Sequence, residues 1–386
     1  MLKYKKKLLM RYCLGTAVAT ALAIFAAEGI WLKGITGSFG DTLRFLRTMS
    51  LVKSNYNGEL NSHQLFDGAI KGMVEATGDP YTVYLNQKDF QALSEMTEGT
   101  FGGIGIVFGK RGDDYIVVAA LPDTPGAQAG IKSGDIITAV DGQDTASMNM
   151  EQIANKIRGH IDTTVKLSLK DKEGKIREVE VVRKEIKTPS VGGSMLEGNK
   201  IGYIRIAIFN ENTAADFQKE MQKLQKQGMQ ALILDLRGNP GGILDAGVSV
   251  AGALVPKGPI VSVVYKDGTK YVHNSGLEKT PCLLAVLVDH GTASAAEIVS
   301  GAIKDTKAGK LFGVKTFGKG SVQGVFGIDN KTAVKITVAK YYTPSGVSIH
   351  NIGITPDEIV ELPEDATYDL QMRAAVDYLE KQLQQK

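Results

Sequence analysis

The segment Thr292-Ala293-Ser294-Ala295-Ala296-Glu297 has the residue types of a nucleophile site. The strongly apolar run Leu283 to Val288 precedes it through the short turn Asp289-His290-Gly291, and a helical run follows to about Ile303. That order puts Ser294 at a helix start. Ser-x-x-Glu is also the capping-box pattern, in which the serine only satisfies helix N–H groups. The small neighbours Ala293, Ala295 and Ala296 leave space around the hydroxyl. The free N–H groups of a first helical turn also favour a negative oxygen.

A base is available in Thr316-Phe317-Gly318-Lys319-Gly320-Ser321-Val322-Gln323. Lys319 stands between two glycines, after Phe317 and before Val322, unlike an ordinary solvated lysine. Lys319 and Gln323 are four residues apart and share a face in either a strand or a helix. Glutamine accepts a hydrogen bond from the amine without adding negative charge. An aspartate there would hold the lysine protonated, whereas a neutral partner leaves burial free to lower its pKa. A lysine acting as a general base requires that. Ser321 lies on the same face and is a rival nucleophile, with no helix terminus behind it. Asp289 and His290 are a second rival, but one tight turn rarely lets an imidazole reach back to a helix-start hydroxyl.

The third piece is Asp235-Leu236-Arg237-Gly238-Asn239-Pro240-Gly241-Gly242, a turn with three glycines at the end of the apolar run Ala231 to Leu236. It reads as a tight strand-to-helix turn. Its functional reading is an oxyanion hole, with N–H groups from Gly241 or Gly242 joined by that of Ala295. Such donors are each worth about 100- to 1000-fold in rate. No metal and no cofactor are expected. The histidines at 63, 160, 273, 290 and 350 form no His-x-x-x-His pair, which argues against a zinc peptidase.

The elements that must position these groups divide the chain. From about residue 41 to 95 the apolar spacing is helical, broken at Gly78-Asp79-Pro80. From Thr100 short strands take over: Gly103 to Phe108, Tyr115 to Leu121, Asp135 to Val140, Val165 to Leu169 and Val179 to Val182, with a helix over Met150 to Ile157. From Thr188 strands alternate with helices, including a helix over Thr213 to Leu224 capped by Asn212, which predicts an α/β core. Residues 368–382 read as a closing helix.

Pro125 to Gly142, with its Gly-Ala-Gln-Ala-Gly-Ile and Gly-Asp-Ile-Ile runs, resembles a bacterial PDZ domain. Gly103, Ile104, Gly105 and Ile106 resemble its carboxylate-binding loop, which would take a peptide tail as an added strand. The glycine turn, the Thr-Ala-Ser-Ala-Ala-Glu segment and Phe-Gly-Lys-Gly-Ser-Val-Gln resemble those of the carboxy-terminal processing peptidases, or tail-specific proteases. Their order and the 25-residue step from Ser294 to Lys319 match as well. Ala296 departs from the serine that many relatives carry there.

The resemblance implies a catalytic triad of Ser294, Lys319 and Gln323 in a serine-type endopeptidase. Its core would be similar to the crotonase and ClpP folds, and its substrates would be proteins or peptides with exposed C-termini. The contrasting reading is a catalytically silent PDZ scaffold that binds tails. The expected fold is therefore a mixed α/β and β multidomain chain. Its segments are a basic stretch and membrane anchor (1–35), a helical lead (36–97), a PDZ domain (98–186), a peptidase core (187–360) and a C-terminal helical segment (361–386). The terminal helices are candidate contacts for a homodimer in proteins that this chain resembles.

Charge and hydropathy bear on location. The net charge is +3, but Lys3, Lys5, Lys6, Lys7 and Arg11 precede the first apolar run, so the remainder carries −2. No basic face is implied, which excludes nucleic acid as the expected partner. Leu14 to Leu32 is close to the roughly 20 residues a spanning helix needs. The lysines before it predict a cytoplasmic N-terminus and a catalytic part on the extracytoplasmic side of the cell membrane. The rival is a signal peptide cleaved near Ala21-Leu22-Ala23, giving a secreted form. The two cysteines, Cys13 and Cys282, are not expected to form a disulfide.

Overall fold

The computed structural model describes Ile30, Lys33, Gly34 and residues 36–198, 200–363 and 366–385. The predicted basic stretch, Cys13 and, apart from Ile30, the predicted spanning run Leu14 to Leu32 lie outside the described residues. Among the described residues no helix is long and apolar enough to cross a membrane.

The chain divides into two compact units, one ending at Ala76 and the other running from Thr77 to the C-terminus. The first unit contains helices α1 (Phe39–Asn55) and α2 (Ser62–Glu75), capped by Ser38 and Asn61. None of the α1 residues is buried. The predicted helical lead spans the boundary between the two units. Its last part, from Thr77, belongs to the second unit and forms strand β1 (Val83–Leu85) and helix α3 (Gln87–Glu98).

The PDZ-like module follows. Strand β2 (Thr100–Gly103) leads into β3 (Ile106–Arg111) and β4 (Asp114–Ala120). The short helix α4 (Pro125–Gln128), strands β5 (Ile136–Val140) and β6 (Gln143–Asp144), and helix α5 (Met150–Ile157) come next. Strands β7 (Thr164–Lys170), β8 (Ile176–Val182) and β9 (Lys184–Lys187) complete it. The main sheet runs β3-β4-β5-β7-β8, and β2 pairs separately with β9. Alternation on β7 buries Val165, Leu167 and Leu169 against Ile153 and Ile157 of α5.

The core begins with β10 (Val191–Met195), β11 (Ile201–Ile206), α6 (Thr213–Lys226) and β12 (Ala231–Asp235). Then come α7 (Leu244–Gly252), β13 (Gly258–Tyr265), β14 (Lys270–Ser275), β15 (Leu283–Val288) and α8 (Ala295–Asp305). It ends with β16 (Lys310–Gly313), β17 (Ser321–Gly327), β18 (Ala333–Tyr342), β19 (Glu358–Ile359) and α9 (Leu370–Gln384).

One sheet runs β10-β11-β12-β15-β16-β19, parallel throughout except for the β10–β11 pair. Both faces are covered, which is why β12 and β15 read as unbroken apolar runs. On β12 and β15, Leu232, Leu234, Val286 and Val288 face the core built with α6, α7 and α8, whereas Ile233, Ala285 and Leu287 face Ala375 and Leu379 of α9. A second, antiparallel sheet runs β1-β18-β13-β14, with β17 also paired to β18. Asn212 begins α6 without a side-chain cap, because its amide donates instead to the Glu98 carbonyl at 3.0 Å.

Candidate active site

Ligand sites in parallel sheets form at the carboxyl ends of the strands. Here β12, β15 and β16 end next to one another and feed the glycine turn, the Ser294 turn and the Lys319 segment respectively. The turns are tied directly. Asp289 Oδ1 accepts from the N–H groups of Gly238 (2.8 Å) and Gly291 (2.9 Å). The Ala293 N–H donates to the Asn239 carbonyl at 2.9 Å. Asp289 is thus a brace between turns and His290 is exposed, so the structure offers no support for a histidine triad. Asp235 and Arg237 are structural as well: Arg237 pairs with Asp235 at 2.7 Å and with Asp369, the N-cap of α9, at 2.8 Å.

Ser294 has φ 54° and ψ −118°, a conformation that non-glycine residues rarely adopt. A strained residue on a strand-turn-helix connection is the geometry that presents a nucleophile clear of its own helix. Ser294 and Glu297 face each other as a capping box. The Ser294 N–H donates to Glu297 Oε2 at 2.9 Å, and the Glu297 N–H donates to the Ser294 carbonyl at 2.8 Å.

Glu297 does more than cap. It is 0% exposed, and its carboxylate also accepts from Thr316 Oγ1 (2.6 Å), Gly318 N–H (2.8 Å) and Lys319 N–H (2.9 Å). One side chain therefore fastens the Ser294 turn to the Lys319 segment. Burial pushes its pKa up, while these hydrogen bonds oppose the rise. Tyr341, on β18, is a second fastener: its hydroxyl lies 3.0 Å from the Ser294 carbonyl and 2.5 Å from that of Lys319.

Ser294, Ala295, Gly241, Gly242, Lys319, Ser321 and Gln323 line one cavity of about 630 Å³, together with Lys335, Tyr341 and residues of α3. The Gln323 amide donates to Ser321 Oγ at 2.9 Å and to Thr337 Oγ1 at 3.3 Å. The Gly241 N–H is not free for an oxyanion, because it donates to Asn239 Oδ1 at 2.8 Å. Gly241 instead supplies closeness: a Cβ added to it would lie 2.6 Å from Ser294 Cβ. No hydrogen bond within the described residues occupies the N–H of Gly242 or Ala295.

Burial lowers the Lys319 pKa below its usual value, the positive charge of Lys335 adds to that, and Glu297 and Asp79 pull the other way. The neutral amine is the form that can accept a proton, so a reaction using it speeds up as pH rises through this depressed pKa. Replacing Lys335 with methionine removes the assisting charge and raises the Lys319 pKa. The rising limb of kcat/KM should then move to higher pH; a limb that stays in place or moves down would contradict this role for Lys335.

The predicted tail-binding residues sit together elsewhere. Gly103 ends β2, Ile106 starts β3, and Ile104 is buried in the PDZ core at 1% exposure. The Ile104 carbonyl accepts from the Gly126 N–H at 2.7 Å, and the Gly105 carbonyl accepts from the Leu121 N–H at 2.8 Å. Gly105 has φ 73°, and a Cβ there would meet the Thr124 side chain, so glycine is required.

Family models match three stretches of the chain. Peptidase family S41 matches residues 200–360, a PDZ domain matches 116–171, and the activating protease CtpB N-terminal domain matches 38–89. The chain is 35% identical over 370 residues to the carboxy-terminal processing protease CtpA of Bacillus subtilis (strain 168), covering 95% of this chain and 79% of the relative. The chain belongs to the carboxy-terminal processing proteases of peptidase family S41. A carboxyl-terminal-processing protease of Picosynechococcus sp. is 37% identical over 81% of this chain and 78% of its own length. The solved photosystem II D1 C-terminal processing protease superposes with a TM-score of 0.50 at 30% identity, covering 90% of this chain and 92% of that one.

Sequence reasoning missed Tyr341, Thr337, Lys335, Asp79 and Tyr81 as neighbours of the site. Glu297 was visible only as a cap. A glutamate that is buried and also bonds a second segment leaves no separate mark in Ser-x-x-Glu.

Proposed function

We propose that this S41 protease is a serine endopeptidase that binds protein C-terminal tails through its PDZ domain and cleaves with Ser294, Lys319 and Gln323. The observation that carries the reading is the convergence of Ser294, in a strained backbone conformation, and a half-buried Lys319 of lowered pKa on one cavity. Neutral Lys319 takes the Ser294 proton as Oγ attacks the scissile carbonyl. The N–H groups of Gly242 and Ala295 hold the oxyanion, and the lysine returns the proton to the leaving amine. The lysine then activates the water that frees the acyl group. The core belongs, on this reading, with the crotonase and ClpP folds. The basic start and the Leu14 to Leu32 run support an anchored enzyme acting outside the cytoplasm. Protease protection of the full chain in intact cells tests that placement.

Tail recognition is tested with two unstructured substrates identical except for their last residues. The substrate with an apolar tail should be cut with a kcat/KM at least about tenfold above that of the one with an acidic tail. Equal rates would remove tail binding from the reading.

A further inference from the structure

The orientation of the Gln323 amide is set from outside the triad. Its Nε2 donates to Thr337 Oγ1 at 3.3 Å. The Thr337 side chain also interacts with the Asp79 carboxylate and favours its charged form. That carboxylate accepts from Thr82 Oγ1 at 2.6 Å and from the Tyr81 N–H at 3.1 Å as well. Burial works against its charge, but the interactions with Thr337, Thr82 and Tyr81 outweigh it and keep Asp79 ionised below the usual carboxylate range.

An ionised carboxylate only accepts, and a threonine hydroxyl has one proton. Thr337 Oγ1 accepts from Gln323, which leaves its one proton to be directed at Asp79. Only the NH2 end of the Gln323 amide can meet that oxygen. The Oε1 end is turned away and remains the acceptor available to an amine.

The same turn reaches the base by a second route. The Lys319 Nζ lies over the Tyr81 ring, 4.9 Å from its centroid, and Tyr81 is held edge-on to His350 at 6.4 Å. An ammonium on an aromatic face is attracted there rather than left to swing. The turn is itself anchored to the strand it acts on. The Thr337 N–H donates to Thr82 Oγ1 at 3.1 Å, and β1 pairs with β18 immediately beside it, Val83 opposite Lys335.

We propose that the Asp79–Thr82 turn is a positioning element for the general base. Asp79 fixes the donor direction of Thr337 and hence the Gln323 amide, while Tyr81 seats the Lys319 side chain. This rests on the reading of Lys319 as a base oriented by Gln323.

The test measures kcat and KM of the full chain on one unstructured substrate for Thr337→Val, Thr337→Ser, Asp79→Asn and the Thr337→Val/Asp79→Asn double variant. Thermal unfolding confirms that each is folded. Thr337→Val should lower kcat about tenfold with KM little changed, the size of one oriented hydrogen bond. Thr337→Ser keeps the hydroxyl and should recover most of the loss. Asp79→Asn should lower kcat similarly, and the double variant should lose no more than the worse single variant, because both act through one chain of bonds. Wild-type kcat in Thr337→Val, a loss confined to KM, or losses that multiply in the double variant would overturn the relay. If Thr337→Val does not fold, Asp79→Asn compared with Thr337→Ser decides the matter on the same terms. Lys319→Arg in parallel separates the two levels: an active Lys319→Arg protein overturns the base assignment itself, whereas an inactive one beside a fully active Thr337→Val overturns only the relay.

Discussion

Replacing Ser294 with alanine is expected to abolish peptide-bond cleavage while leaving the protein folded and able to bind substrate tails. Loss of the nucleophile in serine peptidases removes on the order of 10⁶-fold in kcat, and the residue left behind performs no acyl transfer. The fold should survive because main-chain groups of Ser294 hold the helix start. What holds the turn is main-chain: the Ser294 N–H to Glu297 at 2.9 Å and the Ser294 carbonyl to the N–H groups of Glu297 and Ile298 at 2.8 Å and 3.0 Å. Alanine keeps all three. Cleavage is read on an unstructured substrate, and tail binding by fluorescence anisotropy of a labelled peptide. Continued cleavage would remove Ser294 from the mechanism. Ser321 would then be the alternative, since it lines the same cavity, but its Oγ already accepts from Gln323 at 2.9 Å and it is only 4% exposed.

The parts of the site that were legible in the sequence share a physical cause. The glycine turn, the Ser294 segment and the Lys319 segment each follow a buried parallel strand, so each is a local motif with an apolar run before it. Short-range patterns of that kind survive in one dimension. The residues that orient the base do not. Thr82 and Thr337 meet across 255 positions because β1 pairs with β18, and three residues of strand are too few for a period to register. The same short strand hides that the helical lead is shared between the two units. Helix α3 has the amphipathic spacing of α1 and α2, and it is the pairing of β1 and the Asn212–Glu98 hydrogen bond that join it to the core. The oxyanion reading needed correction at Gly241 for a related reason. Three glycines in a turn offer several N–H groups, and the sequence cannot say which of them the turn itself uses. The Asn239 side chain takes that of Gly241.

Lys319→Arg separates charge from basicity at the centre of the mechanism. Arginine keeps a positive charge and can still stack on Tyr81, where the lysine amine lies 4.9 Å from the ring centroid. It cannot give up a proton near neutral pH, so it can neither accept the Ser294 proton nor pass one to the leaving amine. Both halves of the acyl-transfer cycle fail together, and kcat should fall by about 10⁴-fold or more. The pH profile supplies the sharper readout. In the wild-type enzyme kcat/KM should rise with pH as Lys319, its pKa lowered by burial and by Lys335, loses its proton. In Lys319→Arg any residual activity should lack that limb. Were Lys319 only an electrostatic prop for the oxyanion, arginine would substitute with little loss and the limb would belong to another group. Near-normal turnover of a folded Lys319→Arg protein, or a residual rate that keeps the wild-type limb, would therefore end the case for lysine as the base, whatever the outcome at Ser294.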